Sequence, residues 1–231
     1  MRAFAVISSV LCAAAAAAQP CETVTTIGPV TVKRTQGALV YSGGLAIDAD
    51  GAPNAYEPDG KGLDHLANAG KPGNWWGLAT KNGEPVVQGA SDPYPGYYVS
   101  TTALENKRYA TTDPRRYVDS GKVPYVVLPP ALLKEARLGD FAAVINESNG
   151  RVAYAQVADI GPKDKLGEGS IALADALGVK SDPKRGGARS GIRYVVFPKS
   201  GDGKPRTVEE IATEGARLHA SVSADACVSG R

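Results

Sequence analysis

FAAVINESNGRVAYAQVADIGPKDKLGEGSIALADALG, residues Phe141–Gly178, is the stretch that decides the fold. Two apolar runs, Phe141–Asn146 and Val152–Ala158, are separated by Glu147-Ser148-Asn149-Gly150. Asn-Gly between such runs is the turn of an antiparallel hairpin. The second strand runs into Asp159, and a Gly/Pro/Lys loop follows. Ile171–Gly178 then reads as a short helix, with Gly178 as its stop. Asp159 and Glu168 therefore stand at the two ends of one short loop at the exit of a core strand.

The same kind of signal repeats outward. Thr23–Leu39 alternates and predicts one or two strands, whereas Val40–Leu63, rich in Gly, Asp, Pro and Asn, reads mostly as loop with short strand pieces. Val86–Val87 and Tyr94–Thr102 read as strands, and Leu63–Ala69 and Ala131–Arg137 as short helices. Val123–Leu128 is a β-prone core strand ended by Pro129-Pro130, and Ile192–Phe197 is the last core strand. Thr207–Leu218 reads as a helix, with Thr207 as N-cap and Glu210 three residues on. The expected class is mainly β with short helices, a compact β-barrel with a sandwich as the alternative architecture. Strand, Gly-Pro turn, loop and short Ala/Leu helix is similar to the crossover of double-psi barrels, an analogy of fold alone. Neither an internal repeat nor a linker divides residues 19–231, so one domain is expected.

Met1–Ala18 has the pattern of a secretory signal: Arg2, then an apolar Ala-rich stretch ending in small residues. A secreted or periplasmic protein without a transmembrane segment is expected. Cleavage removes Cys12 and leaves Cys21 and Cys227, which an oxidising compartment would pair. Arg2 is the one charged residue of the leader, so the formal charge of +2 falls by one. Near-neutrality argues against a nucleic-acid partner, which asks for a basic face. His65 and His219 lack ligand spacing for zinc, and no phosphate-binding or dinucleotide pattern occurs, so neither metal nor cofactor is expected.

Carboxylates across a gap suit glycoside hydrolysis, where one protonates the leaving oxygen and the other activates water or attacks carbon. On the residues alone, a turn-forming Asp159 and a helix-capping Glu168 explain the spacing equally well. In IDADG, Asp48 follows the apolar Ile47 and is the better candidate to line a cleft and attract protonated amines, while Asp50-Gly51 reads as a turn. The full calcium-loop pattern is missing. Glu57, Asp59 and Asp64 read as solvated loop charges. Trp75, Trp76, Tyr94, Tyr97, Tyr98 and Tyr125 are candidate platforms for sugar rings. One of the adjacent tryptophans is expected in the core, and Tyr94, on an Asp-Pro-Tyr-Pro-Gly turn, is expected to be exposed.

Asp159, the nine-residue step, and Glu168-Gly169-Ser170-Ile171-Ala172-Leu173-Ala174 resemble the catalytic stretch of the glycoside hydrolase family 75 chitosanases. AIDADGAPNAY (Ala46–Tyr56) resembles that family's Asp-rich segment and VPYVVLP (Val123–Pro129) its central strand, so the resemblance covers residues 40 to 198. It implies an endo-acting, inverting hydrolase of β-1,4 glucosamine links, with Asp159 and Glu168 as the catalytic pair. Glu168 is the expected acid and Asp159 the expected base. Asp48, Tyr94, Tyr125 and Lys163 are the expected substrate contacts, a polysaccharide, chitosan or a related glycan, is the expected partner, and a monomer is expected. The basic loop Gly161-Pro162-Lys163-Asp164-Lys165 motivates a second reading, a hydrolase of acidic, peptidoglycan-type wall glycan. A third is a barrel that binds polysaccharide without chemistry.

Overall fold

The computed structural model describes residues 21–222 and Cys227; the expected leader lies outside the described residues. Three strands open the chain: β1 (Glu22–Ile27), β2 (Val30–Thr35) and β3 (Ala38–Asp48). A long excursion follows. It holds two small ladders, β4 (Gly70–Lys71) with β5 (Asn74–Trp75), and β6 (Thr80–Lys81) with β7 (Glu84–Pro85). The chain then enters β8 (Tyr125–Leu128), β9 (Phe141–Asn146), β10 (Arg151–Ile160), β11 (Glu168–Ser170), helix α1 (Ile171–Leu177), β12 (Ala188–Phe197) and helix α2 (Val208–Ala220).

The order β3-β11-β8-β10-β9-β12, with β12 paired back onto β3, closes a six-stranded barrel, and the β1–β2 hairpin extends it from β3. Closure removes the free strand edges that an open sheet would present. The β3–β11 and β8–β10 pairings are parallel and the rest antiparallel. Parallel neighbours need a crossover rather than a tight turn. The one between β3 and β11 holds the excursion, which arches over the barrel end, and then the barrel strands β8, β9 and β10 themselves.

Alternation sorts the strand residues between two layers. Leu39, Tyr41, Leu45, Val144, Val157, Tyr194 and Val196 fill one core, which Leu173, Ala174 and Leu177 of α1 cap. Ala38, Val40, Phe141, Ala143, Val195 and Phe197 face the other way and are covered by Ile211 of α2 and by Cys227. Both faces of β9 are thus buried, which is why Ala142-Ala143-Val144 reads as a continuous apolar run. Cys227 is disulfide-bonded to Cys21 across a Cα–Cα distance of 5.5 Å, joining the start of β1 to the chain beyond α2. No helix among the described residues is long and apolar enough to cross a membrane.

Two local readings change. Val40–Leu63 is mostly loop, but its strand content is one unbroken run rather than short pieces, because β3 continues to Asp48. Its Gly44 sits where a Cβ would lie 2.6 Å from the Ala188 carbonyl, so the glycine marks close strand approach rather than a turn. Conversely, Tyr94–Thr102 forms only isolated bridges, Val87 to Tyr98 and Leu78 to Ser100. Its backbone groups bond to other loop segments, as Tyr98 N–H does to Tyr56 O (2.9 Å).

Candidate active site

The two carboxylates at the loop ends meet through one residue of β8. Val127 pairs with Asp159 of β10 on one side and with Glu168 of β11 on the other. Residues directly opposite one another share a face of the sheet, so all three point the same way. Two strand spacings put the Asp159 and Glu168 backbones roughly 9–10 Å apart. Simple alternation along β10 would turn Asp159 toward the core that Val157 faces. A register shift between Val157 and Asp159 inserts Ala158 and brings Asp159, not Ala158, opposite Val127. Bulges re-aim side chains in this way beside functional sites.

Glu168 stands between Gly167 and Gly169 because β11 is wedged between β3 and β8. A Cβ on Gly167 would lie 2.6 Å from the Gly44 carbonyl, and one on Gly169 would lie 2.7 Å from the Tyr125 carbonyl. Glu168 itself begins β11 rather than capping a helix. Ser170 is the N-cap of α1, its hydroxyl accepting from Leu173 N–H, and that hydroxyl also accepts from Tyr125 N–H at 3.0 Å.

Both carboxylates open into a cleft of about 670 Å³ between the barrel end and the arching excursion, and Asp48, Asp50 and Asp64 line it too. Asp159 is only 9% exposed and accepts the backbone N–H groups of Ala103 (2.9 Å) and Ile160 (2.8 Å) through one oxygen. Burial, with the Glu168 charge nearby, raises its pKa to about 7 despite these two bonds, which favour the anion. Burial likewise raises Glu168, but the Lys165 ammonium, 3.6 Å from Glu168 Oε1, pulls the other way. Asp48 is pushed well up by burial and by the Asp159 and Glu168 charges. Asp50, which accepts from Tyr56 Oη–H (2.7 Å) and Ser100 Oγ–H (3.4 Å), is raised by burial and by the Asp48 and Asp159 charges. One oxygen from each of Asp48, Asp50 and Asp159 lies within 4.8 Å of the other two. Three carboxylates that close either share protons or hold a cation through oxygen ligands.

The expected contacts divide. Asp48 lines the cleft, with Asp159 and Glu168. Tyr125 does not reach it as a surface: the side chain is fully buried beneath, and its hydroxyl donates to the Asp50 carbonyl at 2.9 Å. It lies in the barrel wall, on the Val127 side of β8, and supports the Asp48–Asp50 turn instead of meeting a ligand. Tyr94 is exposed as expected but lines a neighbouring groove with Asp119, Lys122 and Ile171. Lys163 is exposed and is not among the cleft-lining residues, whereas Lys165 is. Asp64 is no solvated loop charge: it is 5% exposed and accepts His65 N–H (2.7 Å) and Asn68 Nδ2–H (2.8 Å). Asp64 and Trp76 join the site through the path of the excursion, whereas Lys165 comes from the β10–β11 loop and Lys184 from the segment between α1 and β12. For Asp64 the one local signal is Asn68 four residues on, at the spacing of the side-chain bond they make.

Compared with known proteins, the chain matches no family model and no curated protein.

Proposed function

We propose that this chain is an exported glycoside hydrolase that cleaves within polymers of β-1,4-linked glucosamine, a chitosanase. The carrying observation is the alignment of Asp159 and Glu168 across Val127 on one face of the barrel wall, opening into a single carboxylate-lined cleft. A backbone separation of roughly 9–10 Å leaves side chains room for a water between acid and base, the arrangement of an inverting enzyme. In that reaction the acid gives its proton to the glycosidic oxygen as the bond to the anomeric carbon breaks. Water attacks the opposite face of that carbon and gives a proton to the base.

The surroundings favour roles opposite to the expected order. Asp159 has carboxylates for neighbours and a pKa near 7, so it holds a proton to donate. Glu168 has the Lys165 ammonium beside it, which favours the anion that a base must be. A cleft lined by five carboxyl groups, even with Asp159 and its buried neighbours holding protons, offers acceptors and negative charge to an ammonium-bearing sugar and disfavours a carboxylate-bearing one, which supports chitosan over acidic wall glycan. The disulfide and the leader-like Met1–Ala18 support export. Lys165 turned into the cleft removes one reason for the wall-glycan reading, since it faces Glu168 and is not left free for an anion.

The test incubates the protein with chitosan, chitin and peptidoglycan side by side and measures released reducing ends. Chitosan should be cleaved fastest, and Glu168→Gln and Asp159→Asn should each lose about 10²-fold or more of that rate. Release from peptidoglycan alone, or near-parent rates in both variants, would remove the proposal.

A further inference from the structure

We infer that Trp76 and Asp64 together form a binding subsite for one amine-bearing sugar ring in this cleft. The inference rests on the proposed function for its substrate class but on separate residues for its geometry. Trp75 and Trp76 are adjacent, yet they part company: Trp75 packs against the Ala49–Leu78 cluster, while Trp76 is 60% exposed on the cleft wall. An indole that exposed is usually free to swing, but here it is tethered. Its Nε1–H donates to Asn68 O at 2.7 Å, and its backbone N–H donates to Ala69 O at 3.1 Å. The next residue, Gly77, lies so close to Asp50 that a Cβ would fall 3.3 Å from Asp50 Oδ1, and Ser100 Oγ lies 3.4 Å from both Gly77 O and Asp50 Oδ1, so this wall stands against the carboxylate cluster.

Because the one indole donor is already spent, the exposed part of Trp76 offers only its ring. A pyranose has an apolar face of C–H groups that covers such a ring, and an ammonium near the ring face is attracted further by the ring's negative π face. Asp64 supplies the matching charge. It orients Asn68 through Nδ2–H, so the same side chain that fixes the Trp76 acceptor residue also lines the cleft. Its two oxygens accept one bond each from His65 and Asn68, and an ionised carboxylate has about four acceptor sites. Capacity remains for a ligand's ammonium or hydroxyl. Asp64 also bears on Glu168, whose pKa it raises, so the subsite adjoins the catalytic pair.

Binding can be read without turnover in Glu168→Gln protein, by isothermal titration calorimetry with a glucosamine hexamer and an N-acetylglucosamine hexamer, a readout that does not depend on Trp76. The glucosamine hexamer should bind with a measurable heat and, in protein that retains Trp76, also shift or quench the tryptophan emission. Adding Trp76→Ala should weaken its binding by about tenfold or more, as loss of a stacked ring does in carbohydrate-like π contacts worth ~1–2 kcal/mol. Trp76→Phe should restore part of the affinity, and Asp64→Asn should weaken the charged hexamer more than the neutral one. Matched thermal melts show that each variant is folded. Unchanged affinity in folded Trp76→Ala, with the parent still cleaving chitosan, overturns this subsite and leaves the proposed function standing. Loss of binding in Trp76→Ala, when the parent cleaves no glycan, supports the subsite and overturns the proposed function. Absence of glucosamine-hexamer binding to the Glu168→Gln protein overturns the subsite, and the parent's reducing-end assay then decides the function separately.

Discussion

Asp159 is costly to the fold when charged, because it is buried among other carboxylates. Its folded pKa of about 7 lies above the ordinary aspartate value of 3.8. Below the unfolded value both states are protonated and the group contributes nothing to the pH dependence. As pH rises from about 4 through 7, the unfolded chain gives up the proton first, so stability falls across that window. Asp159→Asn should therefore be more heat-stable than the parent at pH 8, by several degrees at about 2–4 °C per kcal/mol, and the gain should vanish by pH 4. Asn can still accept Ala103 and Ile160 N–H through its carbonyl oxygen, so the bonds that hold the loop survive. Thermal melts across pH check this, and a gain that is equal at pH 4 and pH 8 would contradict it. At this scale Asp159, Glu168 and Asp48 were legible, since each follows or precedes a strand signal in the chain. Asp64 and Trp76 were not: their place depends on where a long irregular segment comes to rest, and nothing in their immediate neighbours encodes that.

The element that does most to make the site is β10, and its important feature is an irregularity. Hairpin, strand and direction were readable from Asn149-Gly150 and the apolar runs, but the bulge at Ala158 was not. An extra residue leaves the apolar pattern almost unchanged while reversing the side on which Asp159 emerges. Strand β11 was also missed, because three residues flanked by loop carry too little pattern to announce a strand. Only the glycines about Glu168 hinted at crowding. Gly169→Ala should show this directly, since its Cβ would meet Leu173 Cδ2 at 2.6 Å as well as the Tyr125 carbonyl. Overpacking of this kind costs about 1–3 kcal/mol, and moving β11 also moves Glu168. A melt lowered by several degrees together with lost turnover is expected, whereas parent-like melting would mean that β11 is less tightly held than its contacts imply. By contrast, α2 was readable almost to the residue, because its capping box is a local device: Thr207 Oγ1 accepts Glu210 N–H and Glu210 accepts Thr207 N–H.

On the scale of the molecule, a closed barrel supplies a rigid rim and the excursion from Ala49 to Pro124 supplies the walls of a cleft. This division is physical: strands paired on both sides cannot drift, while a segment with little regular structure can bring Asp64, Asn68 and Trp76 to one wall. The barrel class was legible from the count and spacing of short strands. Its closure was not, because β12 pairing onto β3 joins residues some 150 positions apart, Tyr194 to Tyr41, with no local trace. The disulfide was legible from the two cysteines that remain once the leader-like Met1–Ala18 is set aside, and it ties the outer hairpin to the covering of α2. In the proposed reaction a fixed pair of carboxylates cleaves a glucosamine polymer with water between them. Proton NMR of the earliest product from a β-linked glucosamine oligomer tests it most directly, read before mutarotation mixes the anomers. Inversion at a β-linked sugar delivers the α-anomer first. Early β-anomer would mean retention, with carboxyl groups at about 5–5.5 Å and one of them a nucleophile, and would contradict it.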